Sequence, residues 1–308
     1  MNLREWALIA FTLMSQMSVG AFVVLGIVHF FARRKAGIEQ ADRLSDRALL
    51  AIGPVLVLGI IASFLHLGNP LNAPLAILNF GNSWLSREIV FAVLFGVLGA
   101  AFAIMQWRKI GSMNLRSIIA WAAAIVGLLQ VFSMAMVYML PLQPYWNTLF
   151  GTPLAFFAAT FLLGSLAIGS ALVANYAYIR RANPDCAEEQ CSLLRSVVKG
   201  IAVACVVLLG IELVAAPLQL TLLASLNNPA AAESSALLYS DFGWIYGLRL
   251  ALAFIGAGIF ALFLYRSALT PGRERLMSTL VYGAFAVVLI AEVMGRFLFY
   301  AAHVKVGL

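Results

Sequence analysis

WALIAFTLMSQMSVGAFVVLGIVHFF (residues 6–31), ARRKAGIEQADRLSDR (32–47) and ALLAIGPVLVLGIIASFLHL (48–67) follow one another as an apolar run, a charged run and a second apolar run. Each apolar run has the roughly 20 residues that an α-helix needs to cross a hydrocarbon core. Neither shows the alternating segments of roughly ten residues that mark a transmembrane barrel. Six further runs of the same kind lie at 88–107, 117–139, 153–178, 197–220, 242–265 and 277–300. The sequence therefore predicts an all-α, polytopic integral membrane protein with eight transmembrane helices, organised as one membrane domain over residues 1–308. Leu67, Asn69 and Pro70 after the second run are echoed by Leu226, Asn228 and Pro229 after the sixth. This faint repeat leaves open two four-helix halves.

Composition excludes the water-soluble classes. Of the 308 residues 63% are apolar and only 11% charged, against about 25% charged in ordinary soluble chains. The net charge of +7 has no nucleic-acid meaning, because the basic residues are sorted by segment. Fifteen of the twenty lie in 32–47, 107–116, 180–199 and 266–275, which alternate with nearly uncharged connections. Only Arg4, Arg87 and Lys305 fall on the other side, so the positive-inside rule puts both termini outside. The first run has no long basic leader and is followed directly by Arg33, Arg34 and Lys35, which reads as an uncleaved helix rather than a signal peptide. Trp6, Trp84, Tyr145, Trp146, Tyr239, Trp244 and Tyr300 stand near outer ends, where amphipathic rings favour the headgroup layer.

Metal chemistry has little to work with. Cys186, Cys191 and Cys205 are one short of the four thiolates of an ordinary iron–sulfur cluster. Of His29, His66 and His303, only His66 and His303 stand at equal depth, so a bis-histidine haem is not expected. The sharper signal is the set of ionisable residues inside or at the ends of apolar runs, where charge is costly and usually has a partner or a task. Glu212, Arg249, Glu292 and Arg296 lie in the outer third of their spans, as do His66 at the end of the second span and Arg87 with Glu88 at the start of the third. Glu292 with Arg296, and Glu212 with Arg249, are each able to pair structurally. Gln16, Gln130 and Tyr138 are the nearest other polar groups and suggest no relay.

His66 and Glu88 flank an apolar, turn-rich loop (68–86) with Gly68, Asn69, Pro70, Pro74, Gly81 and Asn82. Such a loop can lie back and roof a pocket at the lipid edge. A neutral-range base beside a carboxylate in that setting suits a lipid-soluble carrier of protons and electrons, since a hydroxyquinone head needs a group to receive each phenolic hydrogen. Pro54 and Pro217 interrupt two spans, so a secondary transporter or proton-conducting protein stays open as the alternative.

Three stretches carry a family resemblance: REWALIAFTLMSQMSVGAFVV (4–24), LHLGNP (65–70) followed by SREI (86–89), and the tail AEVMGRFLFYAAHVKVGL (291–308). They resemble the membrane-anchor subunit of the bacterial dimethyl sulfoxide reductase family, a molybdopterin oxidoreductase. The resemblance implies an anchor in the bacterial inner membrane that carries no haem, iron–sulfur cluster or metal and works in anaerobic respiration. It further implies that menaquinol is bound and oxidised near the periplasmic face. Electrons would pass to an iron–sulfur subunit and then to a molybdopterin catalytic subunit. The family's quinol site maps onto His66 and Glu88; Arg87, Glu212, Arg249, Glu292 and Arg296 are further candidates for the pocket. Arg87 directly before Glu88 departs from the pattern, and a cation there could hold the carboxylate ionised.

Overall fold

The computed structural model describes residues 3–66, 70–182, 187–270 and 272–306, and no strand occurs among them. Seven helices are long and apolar enough to cross a membrane. The first, α1 (Leu3–His66), is continuous except at Gly37, whose φ of 82° and ψ of 173° break it into two arms, 3–36 and 38–66. The arms fold back side by side. His29 Nδ1 lies 2.9 Å from Ser45 Oγ, and a Cβ on Gly59 would stand 3.1 Å from Met14 Cβ. The charged run 32–47 is thus helical rather than a loop, because its Arg, Lys, Ala, Glu, Gln and Leu residues are good helix formers. Reversal is compressed into one glycine, at a positive φ that side chains disfavour.

The other long helices are α2 (Trp84–Arg108), α3 (Met113–Tyr138), α4 (Ala155–Ala182) and α5 (Ala187–Ser225). A short outer helix α6 (Pro229–Ala236) follows. Next, α7 (Gly243–Ala253) and α8 (Ala261–Leu269) are joined through a π-helical stretch, Phe254–Phe260, into one membrane-length element, and α9 (Glu274–Ala301) ends the bundle. Ser83 and Ser112 cap α2 and α3 by accepting from Ser86 N and Leu115 N, which satisfies amide groups that a helix start otherwise leaves unpaired. Lys109 and Gly111 take positive φ and make the tight α2–α3 reversal.

The α4 helix sits at the centre. In its most apolar window 72% of residues are buried, against 11% for α2 at the periphery. Apolar side chains cannot drive helices together within hydrocarbon, so close backbone approach has to do so. Here the first arm of α1 crosses α4 at Gly20 and Gly164: a Cβ on Gly20 would overlap the Thr160 carbonyl oxygen, and one on Gly164 would overlap the Gly20 backbone. Along α9 the buried residues Met277, Val281, Ala284, Val288 and Ala291 recur at intervals of four and three, the stripe of a helix packed on one side.

The helix ends beside the charged run are tied by ions. Lys109 Nζ stands 2.7 Å from Asp42 and 2.8 Å from Asp46, Gln106 Nε2 donates to both carboxylates, and Arg116 donates to Gln106 Oε1 at 2.9 Å. Burial alone would lower the Lys109 ammonium, but the two aspartates outweigh it and hold it above its ordinary value. Asn175 of α4 donates to the Arg43 and Leu44 carbonyls. The turn of α1 is therefore stapled to both the α2–α3 turn and α4.

The glycine crossing gives a direct test. Gly20→Ala and Gly164→Ala should each destabilise the chain by about 1–3 kcal/mol, because backbone rather than a movable side chain must give way. Gly26→Ala, which meets nothing within 4 Å, is the control. Thermal unfolding midpoints of the detergent-solubilised variants read the effect. Equal midpoints for all three would mean that the crossing is not a tight packing point.

Candidate functional site

The helix register decides what stands beside Glu88. Phe22 and Phe95 make an edge-on ring contact at 5.7 Å, and both helices run inward from there, so Ser15 and Gln16 fall level with the buried Glu88 on α2. A Cβ on Gly127 of the antiparallel α3 would touch Phe95, which puts Ser133 at that same depth. From α9, Arg296 donates to Gln16 Oε1 at 2.9 Å and lies 3.8 Å from the Phe156 ring centroid. One turn further out, the Tyr138 and Tyr300 hydroxyls meet at 2.8 Å. Gln130 donates to Ser15 Oγ. Glu88 thus sits at the edge of a buried polar layer contributed by α1, α2, α3 and α9.

A second group adjoins the first. Arg249 Nη2 is 4.0 Å from Glu212 Oε2, which forms the pair expected between the sixth and seventh spans. The guanidinium of Arg249 lies across Gly295 of α9, where a Cβ would overlap its Nε. The pairing expected between Glu292 and Arg296 is not formed. Arg296 turns instead to Gln16 and Phe156, and Glu292 Oε1 is buried with no hydrogen-bond partner. Helical spacing allowed the pair, but Arg296 reaches an acceptor and an aromatic face on neighbouring helices, while Arg249 fills the space over Gly295.

Arg87 does not face Glu88. Its Nε donates to the Phe80 carbonyl at 2.9 Å and its Nη2 to that of Gly81 at 2.5 Å, and it stacks on Trp84 at 4.2 Å. It braces the outer loop and leaves Glu88 inside. That loop is a 3-10 helix, Pro70–Asn79, joined to α2 by Phe80 against Phe91. Ile77 and Leu78 are 68% and 79% exposed, so these two side chains are not turned inward as a roof. His66 is the last residue of α1; its side chain lies outside the described residues, as do Leu67, Gly68 and Asn69, together with Cys186 of the inner loop.

Several polar residues join the site that sequence spacing does not place there. Gln16 and Tyr138 stand alone in the sequence, but tertiary contacts connect them to Arg296 and Tyr300. Tyr145, Trp146 and Tyr300, expected as interfacial anchors, are buried, whereas Trp6, Tyr239 and Trp244 are exposed as such anchors should be. Trp146 Nε1 donates to the Phe299 carbonyl at 2.6 Å, and the His303 ring stacks on Trp146 at 4.1 Å. These rings form a plug under the C-terminal tail. No group of three or more His, Cys, Asp or Glu able to hold a metal occurs among the described residues.

A family model for the DMSO reductase anchor subunit (DmsC) matches residues 1–302. Among curated proteins, the sequence is 29% identical to the YnfH chain of anaerobic dimethyl sulfoxide reductase from Escherichia coli K12, over 99% of this protein and 97% of that one. It is 28% identical to the C subunit of anaerobic dimethyl sulfoxide reductase of the same organism, again over 99% and 97%. The C subunit of the Haemophilus influenzae anaerobic dimethyl sulfoxide reductase is 27% identical over 56% of this protein and 60% of its own length. The match runs through all the long helices, including the arms of α1, the Glu88 layer and α9, and on it the protein belongs to the DMSO reductase anchor subunit family.

Proposed function

We propose that this protein binds and oxidises menaquinol near the periplasmic face of the bacterial inner membrane. It then passes the electrons to an iron–sulfur subunit that serves a molybdopterin catalytic subunit. Family membership supports the coarser role, anchoring a DMSO reductase complex in the membrane. One observation carries the finer reading: a buried carboxyl, Glu88, at the outer end of α2, level with Ser15, Gln16 and Ser133 and beneath a loop adjoining His66. A quinol head entering from the lipid edge would meet Glu88, and His66, the last residue of α1, is the second candidate from the sequence. An imidazole and a carboxylate are both groups that can receive a phenolic proton. Both termini and the site are read as periplasmic, because the basic segments gather at the opposite ends of the helices. Folding of α1 into two arms at Gly37 supports eight crossings.

The transporter alternative gains no support from its sequence signal. Both α1 and α5 run through Pro54 and Pro217 as continuous helix, so the interrupted helices that alternating access uses are not formed there.

Replacing His66 by Leu or Arg, or Glu88 by Gln, should lower quinol-analogue oxidation by about 100-fold or more. Turnover with an artificial reductant that feeds the partner clusters directly should persist. Equal loss with both donors would point to failed assembly and not to a quinol site.

A second expectation concerns charge. If quinol protons leave to the outside, where the catalytic subunit consumes its own, the cycle moves no net charge across the bilayer. Vesicles holding the reconstituted complex and a potential-sensitive dye should show no ionophore-sensitive signal when quinol and acceptor are added. A potential that builds with turnover would place proton release or uptake on the inner side.

A further inference from the structure

Quinol oxidation releases two electrons and two protons, and the site described above does not use two of the most deeply placed acids in the protein. Glu212 on α5 and Glu292 on α9 are 8% and 4% exposed, and their carboxyls face each other. Carboxyls inside hydrocarbon are costly and are kept where they have a partner or a task. Arg249 partners Glu212, and Glu292 faces Glu212 with its own Oε1 outside any hydrogen bond. A separate observation points toward the same place. Gln16 Nε2, Gln130 Oε1 and Ser133 Oγ are also buried without partners, and all three residues are at most 1% exposed. They belong to the polar layer beside Glu88, and Arg296, on α9 one turn beyond Glu292, donates to Gln16 of that layer. Buried polar atoms with spare hydrogen-bonding capacity are places where small polar molecules are held, commonly waters making about three bonds each.

We propose that Glu212 and Glu292 form a proton-accepting pair that takes one of the two quinol protons, reached from the Glu88 layer along Gln16, Gln130, Ser133 and Arg296. The proposal rests on the quinol reading given above. In balance, the quinol becomes quinone by losing two electrons to the iron–sulfur partner; one phenolic proton goes to His66 or Glu88 and the other to a carboxylate of the pair. The groups facing the pair are Arg249 from the seventh span and Arg296 from α9, with Tyr145 and Tyr246 beside Arg249. A proton added to the pair raises the positive charge beside two guanidiniums, which oppose it, so the proton is held only transiently. Tyr145 and Tyr246 lie on the way outward. The pair would thus return to its starting state within each turnover.

The test uses the assembled complex in membranes, with a short-tailed quinol analogue as donor and the artificial reductant as the assembly control. Glu292→Gln and Glu212→Gln should each lower kcat by about 100-fold. KM and the affinity for a quinone-analogue inhibitor should stay within about twofold, because the pair does not touch the head. The double variant should be no slower than the slower single, and Glu292→Asp should recover much of the rate with a larger solvent deuterium effect. Unchanged kcat in both single variants overturns the proposal, as does a parallel loss of rate, inhibitor binding and artificial-donor turnover in every variant, Glu292→Asp included. Glu88→Gln separates the two readings: if it abolishes quinol oxidation while the pair variants do not, the pair fails alone. If Glu88→Gln and His66→Leu both leave quinol oxidation intact, the quinol reading itself falls.

Discussion

Hydrocarbon offers no hydrogen-bond partner, and every polar group carried into it must find one within the protein. For the backbone the answer is helix, continued so far that α1 runs through its charged turn with a single break at Gly37. For the side chains the answer depends on which helices lie side by side. Arg296 bonds Gln16 of α1 and stacks on Phe156 near the start of α4, and Arg249 rests on Gly295 opposite Glu212. These contacts need backbones to approach closely, and the Gly20–Gly164 crossing shows the same requirement without charge. Small residues bring the helices near enough for the polar residues to be satisfied, and the polar residues then fix which faces meet.

The two ends of the bundle solve different problems. At the inner end, Asp42, Asp46, Lys109, Gln106 and Arg116 form one connected network of ion pairs and hydrogen bonds at the partly exposed margin. Such a network costs little desolvation and sets register, clamping the turn of α1 to that of α2 and α3. Register fixed there carries up the helices, and it brings Ser15, Gln16 and Ser133 level with Glu88 at the other end. The outer end holds buried side-chain atoms with no hydrogen-bond partner, among them Glu292 Oε1, Gln16 Nε2, Gln130 Oε1 and Ser133 Oγ. Surplus of that kind is poor design for an anchor alone and suits a place where protons are exchanged.

Helical class and the presence of long apolar helices were legible in sequence, as was Glu88 as an acid at the start of one of them, because each follows from apolar run length or the cost of charge in lipid. What failed to show was what depends on neighbours. The segment 32–47 reads as a loop by its charge, although its residues are strong helix formers. Glu292 and Arg296 satisfy the i, i+4 rule, but that rule cannot see Gln16 and Phe156 arriving from other helices. Tyr138 and Tyr300 sit 162 residues apart in sequence, and no local pattern could join them. Tyr300 and Trp146 share the composition of interfacial rings such as Trp244, and only packing separates the buried from the exposed.

A layer of rings and small residues lies directly inward of the Glu88 level. Phe22 meets both Phe95 and Phe102 edge to face, at 5.7 Å each. Gly127 lets Phe95 and Val19 close against α3, and both of those side chains are buried. Phe95 is seven residues beyond Glu88, or about 10 Å along the helix. Below it the next polar network is the paired one around His29, Ser45, Asp42 and Lys109. A proton on Glu88 would have to pass this aromatic layer to reach the inner network, and the rings offer it neither donor nor acceptor. Outward from the same carboxyl lie Tyr138 and Tyr300, and beyond them the His303 tail. On the proposed reading, the direction of proton release would be set less by any single acid than by where the helices change from polar contacts to aromatic packing, and that change falls between Glu88 and the Asp42–Lys109 network.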